Sequence, residues 1–413
     1  MQSGAFSRMD RRGAPSPAWM VTRFEQQGGT MSFHQFMQLA LHDPEHGAYG
    51  SGQLQVGPSG DFATSPSLGP DFAELLGLQV IQWFDQLASE RPDHPLSLVD
   101  IGPGEGDLIA DLVQMLQREA PHWIRRLEVV LVELNPGMEA RQRERLGSSV
   151  SPPVRWSTLE SLASQPAYGI FLAHELLDAL PVERLIWHDG ELRQMGVSLK
   201  RCDGSADASL VWLDQPLPDG LRAQLSWAEQ RCKIELPPKD AADGWCSEWH
   251  SDLPNWLQSA AMAMDQGVLL IVDYALEASR YYTAMRSEGT LLSYRKQRAS
   301  ADLLAHAGTA DLTAHLCLET LIANAEERGW RTLGQCRQGE ALLSLGLADR
   351  LHQLQQLPVT ALANALQRRE TLLRLVDPAA LGEFRWIALQ RDRGLSEGLS
   401  PLACRMFQQP AFN

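Results

Sequence analysis

The stretch Ser97-Leu-Val-Asp-Ile-Gly-Pro-Gly-Glu-Gly-Asp107 limits what this chain can fold into more than any other. The apolar run from Leu96 to Ile101 has the length and continuity of a strand buried on both faces of a parallel sheet. Three alternating glycines follow, Gly102, Gly104 and Gly106. A helical pattern then begins at once, through Leu108, Ile109, Leu112, Val113, Met115 and Leu116. A strand, a glycine turn and a helix make the opening of a nucleotide-type site, because glycine lets the turn tighten and lets a ligand approach the backbone. An ordinary strand-to-helix turn is the alternative.

The residues in the turn narrow the ligand. A dinucleotide fingerprint, Gly-x-Gly-x-x-Gly/Ala, would need a small residue where Asp107 stands. Glu105 would repel a pyrophosphate that the helix N-terminus otherwise attracts. No Lys-Ser/Thr pair follows, which removes a P-loop. Gly-x-Gly-x-Gly with Asp100 just before it fits S-adenosylmethionine (SAM), which has no phosphate and carries an ammonium and a sulfonium. Asp100, Gly102, Gly104 and Gly106 are therefore candidate cofactor-binding residues. A second apolar strand, from Leu127, ends in Glu133, placed to accept hydrogen bonds from two ribose hydroxyls. A solvated strand end is the alternative there, and Glu139, Arg141, Arg143, Glu144 and Arg145 beyond it read as a solvated helix face.

A fourth strand, Tyr168 to Ala173, follows a short third one at Val154 to Trp156, and runs into His174-Glu-Leu-Leu-Asp-Ala-Leu-Pro181. Ligands of open parallel sheets bind beyond the carboxyl ends of strands. Glu175 and Asp178 are three residues apart and would share a face on a helical turn, with His174 beside them. Two carboxylates there suggest a grip on a cationic substrate group. A helix N-terminus enriched in acids is the alternative. A fifth strand, Val268 to Val272, ends in Asp273 after a helix that Gly267 stops. Further on, Tyr294, Arg295, Asp311, Thr313 and His315 are candidates to line a substrate face. Phe384 to Leu389 reads as a late strand on the closing edge of the sheet.

Upstream, residues 1 to about 28 read as a flexible tail, Ser32-Phe-His-Gln35 has the form of a capping box, and an apolar helix begins near Phe72. Between them lies a long glycine-rich stretch that includes Gly57 to Pro66, read as an ordered loop over a site because aromatics are embedded in it, with Asp61 and Thr64 as candidate cofactor contacts. Val182 to Leu213 reads as an antiparallel meander, residues 214 to 255 have no clear assignment, and helical patterns fill 318 to 329 and 340 to 375.

Composition bounds the partners. At a formal net charge of -15 over 413 residues, the chain lacks the basic surface that non-specific nucleic-acid or anionic-membrane binding needs, while a basic protein partner is compatible. Its six cysteines form no Cys-x-x-Cys, so no metal site is expected, and dispersed thiols suit a reducing compartment. No apolar run has the length of a membrane span.

Together these stretches resemble the MidA family of SAM-dependent methyltransferases, related to the mitochondrial complex I assembly factor that dimethylates arginine. The matching segments are Asp43-Pro-Glu-His-Gly-Ala-Tyr49, Gly60-Asp-Phe-Ala-Thr-Ser-Pro66, Gly102-Pro-Gly-Glu-Gly106, His174-Glu-Leu-Leu-Asp-Ala-Leu-Pro181, Val272-Asp-Tyr274 and Ala310-Asp-Leu-Thr-Ala-His315. The resemblance implies an α/β fold: a Rossmann-like class I SAM-dependent methyltransferase core with an inserted β-meander and helical additions. It also implies S-adenosyl-L-methionine as cofactor and an arginine of a partner protein as acceptor, with an NADH dehydrogenase-type subunit as the partner suggested by the complex I role. On that reading Glu175 and Asp178 align the guanidinium and His174 relays a proton. Glu105 stands where the family often has Arg, and Leu176 and Leu177 stand where it often has aromatics. A small-molecule methyltransferase and a non-catalytic SAM-binding assembly chaperone are the rival functions. The expected segments are a tail (1–30), N-terminal helices with a covering loop (31–95), the first part of the core (96–181), the meander and an irregular region (182–255), and the second part of the core with a helical substrate cover (256–413). The expected location is the bacterial cytoplasm, or the mitochondrial matrix if the N-terminus is a transit peptide.

Overall fold

A computed structural model describes residues 14–57, 60–146, 152–201, 208–392 and 400–408. Residues 1–13 of the expected tail and residues 202–207 of the expected meander lie outside the described residues.

Seven strands form the central sheet: β1 (Leu96–Ile101), β2 (Leu127–Val132), β3 (Val154–Ser157), β4 (Ala167–His174), β5 (Met264–Asp273), β6 (Trp330–Arg337) and β7 (Arg385–Asp392). Their order across the sheet is β6-β7-β5-β4-β1-β2-β3. The pairs β5–β4, β4–β1, β1–β2 and β2–β3 are parallel, and β7 runs antiparallel to both neighbours. This is the expected Rossmann-like core. Every residue of β1 is buried, and in the parallel strands β2, β4 and β5 only Glu128, His174 and Asp265 are not, as strands covered on both faces require. The covering helices pack two apolar layers, one with Phe72, Trp83 and Phe84 on the helix Asp71–Glu90, the other with Leu257 and Ala260 on Leu253–Ala263.

The centre of the sheet is pinched. Gly169 and Gly267 pair across β4 and β5, and a Cβ on Gly169 would overlap the Ser97 carbonyl of β1 while one on Gly267 would overlap that of Gly169. Gly267 is thus a close-approach position within a strand, not the stop of the preceding helix, which ends at Ala263. One other expectation changes here. β7 lies inside the sheet rather than on its edge. The edge is β6, whose half-exposed, polar sequence carries no run of apolar residues.

A second, six-stranded sheet holds the meander Glu183–His188, Glu191–Arg201 and Ala208–Gln215, joined by Ala14–Pro15, Thr30–Ser32 and Cys246–Trp249. Ala18–Gln26 is helical, so the segment expected to be a flexible tail is ordered from Ala14 on, with Met20 and Phe24 buried. Residues 214–255 resolve into the helix Asp219–Cys232 and the strand Cys246–Trp249. The capping box at Ser32 forms as expected: Gln35 N–H donates to the Ser32 hydroxyl at 3.2 Å and Ser32 N–H to the Gln35 side chain at 2.9 Å. It starts the helix Phe33–His42, which packs on this sheet and turns Gln38 and His42 toward the carboxyl ends of β1 and β2.

Candidate functional site

A cavity of about 640 Å³ opens at the carboxyl ends of β1, β2 and β4. Gly102, Gly104, Glu105, Glu133, Asn135, His174 and Glu175 line it from the core, and Tyr49, Val56, Phe62 and Thr64 line it from the covering loop. Asp252, Asn255 and Trp256 complete its rim from another side.

The glycine turn is built as its sequence requires. Gly102, Gly104 and Gly106 have φ of 66°, 56° and 85°, and Gly106 caps the helix Asp107–Glu119. A Cβ on Gly104 would meet nothing within 4 Å, so the backbone there faces open cavity. Asp100 lines the cavity, is almost fully buried, and has one oxygen, Oδ2, without a partner. Burial, and then the neighbouring Glu133, push its pKa up to about 7. A buried, unpartnered carboxylate facing a cavity calls for a cation or a donor from a ligand.

Glu133 is held by three donors: Asn135 N–H at 2.8 Å, Asn135 Nδ2 at 2.9 Å and Gln142 Nε2 at 2.9 Å. These donors fix its carboxylate in the cavity wall. Gln142 also donates to the Gly104 carbonyl at 2.8 Å, which ties the glycine turn to the acid. Gln142 is fully buried, and the helix Pro136–Leu146 that carries it is therefore not only a solvated face. Arg141 on the same helix forms an ion pair with Glu105 and donates to the carbonyls of Gly52 and Leu54 in the covering loop. The negative charge expected to repel anions from the turn is thus neutralised by Arg141, and the pair clasps the cover to the turn.

Beyond β4 the structure gathers acids. Glu175 leaves the strand with φ 48°, a strained value for a residue with a side chain, and its Oε1 accepts from Ser65 N–H at 3.1 Å. Only a single 3-10 turn, Leu177–Ala179, follows, so Glu175 and Asp178 do not share a helix face; Glu175 lines the cavity and Asp178 lies buried behind it. Asp273, at the end of β5, accepts from the N–H groups of Leu176, Leu177 and Asp178 at 3.2, 2.8 and 3.3 Å and so sets that turn. Asp311 joins them, hydrogen-bonded to the Tyr49 hydroxyl. Burial first, then mutual repulsion, raises Glu175 and Asp178 well above the usual carboxylate range. Burial lifts Asp273 and Asp311 to about 7. Among the described residues no lysine or arginine pairs with any of the four.

His174 stands in the cavity wall against Phe72 and Phe384, with ring centroids 5.1 and 6.4 Å away. Burial drives its pKa down to about 3, so it is neutral, and its Nε2 has no partner. Tyr274, from the segment after β5, stacks on His315 at 5.3 Å and lies within electrostatic reach of Glu175 and Asp178.

Of the sequence-predicted residues, Asp100, Gly102, Gly104, Glu133, Thr64, His174 and Glu175 line one cavity. Gly106 lies one step behind, Asp178 lies in the acid cluster, and Asp61 points elsewhere, its carboxylate accepting from the backbone of Gln55 and Lys296. Gln142, Arg141 and Asn135 were not expected in the site. Their signal is absent from the sequence because a polar residue on a helix reads the same whether it faces water or a buried acid.

Residues 75–336 match a family described as S-adenosyl-L-methionine-dependent methyltransferase. The chain belongs to this family. Among its curated relatives is the mitochondrial protein arginine methyltransferase NDUFAF7 homolog of Drosophila melanogaster, 26% identical over 388 residues, covering 87% of this chain and 82% of that protein. The NDUFAF7 protein of Mus musculus, also described as a mitochondrial protein arginine methyltransferase, is 27% identical, covering 90% of this chain and 83% of that one. A crystal structure from Burkholderia thailandensis bound to S-adenosyl-homocysteine superposes with a TM-score of 0.77 at 25% identity, covering 95% of this chain and 94% of that chain. A second from the same organism gives 0.74, also at 25% identity, covering 94% and 93%. The protein is a SAM-dependent methyltransferase, as the motifs led one to expect. No helix among the described residues is long and apolar enough to cross a membrane.

Proposed function

We propose that this enzyme transfers the methyl group of SAM to a guanidino nitrogen of an arginine in a partner protein. The observation that carries the proposal is the cluster of buried Asp178, Asp273 and Asp311 with Glu175, which lines the cofactor cavity, and no lysine or arginine of the described residues to neutralise it. Buried carboxylates in such number are costly without a cation. A guanidinium supplies a planar fork of five donors and a fixed positive charge.

The cavity fits the cofactor. Asp100 Oδ2 is buried and unpartnered, and the space in front of Gly104 is open. Asp100 would hold the ammonium, Gly102 and Gly104 would let the ligand lie against the backbone, and Glu133 would take a ribose hydroxyl. When bound, SAM supplies a methyl group on a positively charged sulfur. The chain's own residues do the rest by positioning. Glu175 binds and orients the guanidinium, with Asp178 adding negative charge behind it and Asp273 fixing the turn that carries them. The nitrogen that forms the new bond must release a proton, and Glu175 is placed at the cavity with its proton affinity raised by burial. His174, held neutral, adds no positive charge to compete with the acceptor.

The names of the curated relatives support a protein arginine as acceptor. The net charge of -15 suits a basic partner surface, such as one on an NADH dehydrogenase-type subunit before assembly. Glu175→Gln and Asp178→Asn test the site. Both should bind S-adenosylhomocysteine like the parent, and transfer of labelled methyl should fall by the equivalent of about 2 to 5 kcal/mol, the usual cost of truncating one partner of a buried charge pair. Transfer at the parent rate in both variants would remove the acid cluster from the acceptor site.

A further inference from the structure

We propose that Asp61 is a positioning residue: it fastens a strained hairpin turn at Lys296-Gln297 to the cofactor cover, and so holds Tyr294 and Asp311 in the wall of the acceptor site. The inference rests on the acceptor reading above for its consequence, and on geometry alone for the fastening.

Strands Leu292–Arg295 and Arg298–Ser300 pair antiparallel, with Arg295 opposite Arg298, so only Lys296 and Gln297 make the turn. Both have positive φ, 49° and 59°. Two-residue turns of that kind favour Asn-Gly because both central residues occupy the left-handed region. Lys and Gln carry side chains that resist it. The outer strand is three residues long and wholly exposed, and offers little to hold the turn in place.

Asp61 supplies the missing restraint. Its Oδ1 accepts from Lys296 N–H at 3.0 Å and its carbonyl from Gln297 N–H at 2.7 Å. Its Oδ2 accepts from Gln55 N–H at 3.1 Å, and its own N–H donates to the Gln55 carbonyl at 2.7 Å. Both carboxylate oxygens and both backbone groups are therefore engaged, and none of them faces the cavity. On one side of Asp61 lie Val56, Phe62 and Thr64, which line the cofactor cavity; Val56 N–H also reaches Glu105 of the glycine turn at 3.4 Å. On the other side the hairpin pairs with Asp311–Thr313 and sets Tyr294 opposite Asp311. One side chain thus joins the cover of the cofactor to the wall of the acid cluster.

The test uses the full-length protein and three variants: Asp61→Ala, the pair Lys296→Asn with Gln297→Gly, and all three together. The probes are S-adenosylhomocysteine and ethylguanidinium chloride. In Asp61→Ala, amide exchange in residues 292–300 should quicken at least about tenfold. S-adenosylhomocysteine affinity should stay within about threefold of the parent, while ethylguanidinium affinity in its presence should weaken by about fivefold or more. Installing Asn-Gly relieves the turn, so the triple variant should recover both slow exchange and ethylguanidinium binding. A merely structural loss would not be rescued at a turn. Unchanged exchange in Asp61→Ala, failure of the rescue, or loss of S-adenosylhomocysteine affinity with the hairpin intact would overturn the proposal. If the parent does not bind ethylguanidinium, the acceptor reading falls, and the exchange and rescue measurements still decide the role of Asp61.

Discussion

Replacing Gly104 by Ala separates the demands of the backbone from those of the cofactor. Gly104 has φ 56°, where a side chain costs about 1 to 2 kcal/mol of stability. Nothing in the protein lies within 4 Å of the added methyl, so strain is the only expected cost to the fold. That methyl projects into the cavity, where it takes the place of atoms of the ligand. A cofactor displaced from contact with the turn should lose at least about 2.7 kcal/mol, a hundredfold in Kd. Gly102→Ala is the control. Its Cβ would collide with Leu176, next to Glu175, so it should damage the protein as well as the site. Calorimetric titration with S-adenosylhomocysteine and thermal unfolding, run on both variants, give the two readouts. Gly104→Ala should show a small loss of stability and a large loss of affinity, and Gly102→Ala a larger loss of stability. Parent-like affinity in a folded Gly104→Ala would place the cofactor elsewhere.

Other predictions follow from the charges. Asp311 has a folded pKa of about 7 against an ordinary value of 3.8, so its stabilising contribution is full below about pH 4 and is lost progressively as pH rises to about 7. Asp311→Asn should therefore flatten the fall in thermal stability between about pH 4 and 7, and an unaltered slope would contradict the shift. Asp100, also raised to about 7, must ionise to hold a cation, so SAM affinity should rise with pH through that range in the parent and not in Asp100→Asn. Arg141→Ala leaves Glu105 without its cation and frees the carbonyls of Gly52 and Leu54. Stopped-flow release of S-adenosylhomocysteine should then quicken by about tenfold, the scale of losing a charge-assisted hydrogen bond. Unchanged release would show that the clasp does not hold the cover.

The parts of the fold that could be read from the sequence are those where burial on both faces imposes a continuous pattern. β1, β2, β4 and β5 were visible as apolar runs, and their ends at Glu133, His174-Glu175 and Asp273 were visible as the polar residues that stop them. The capping box at Ser32 was legible because two side chains at fixed spacing satisfy two backbone groups. β6 was not, because an edge strand of Trp-Arg-Thr-Leu-Gly-Gln-Cys-Arg faces water along much of its length. Nor was the interior place of β7, since order within a sheet is set by the helices that cross over it and not by the strand itself. In the site, chemistry borne by residues next to glycines or strand ends could be read. Support from a distance could not: Gln142 and Arg141 reach the glycine turn from a helix over thirty-five residues later in the chain, and Asp61 meets Lys296 across a separation of 235. Nothing local in those residues distinguishes a solvated side chain from one that fastens two loops.

The most direct test of the central claim is to map the transferred methyl group. The purified enzyme is incubated with labelled SAM and a protein extract prepared from cells lacking it, and the labelled products are sequenced by mass spectrometry. The account predicts label on arginine side chains of protein, absent when Glu175→Gln replaces the parent enzyme. Label on lysine, on a carboxylate or on a small metabolite would contradict it, as would label on arginine that Glu175→Gln transfers at the parent rate.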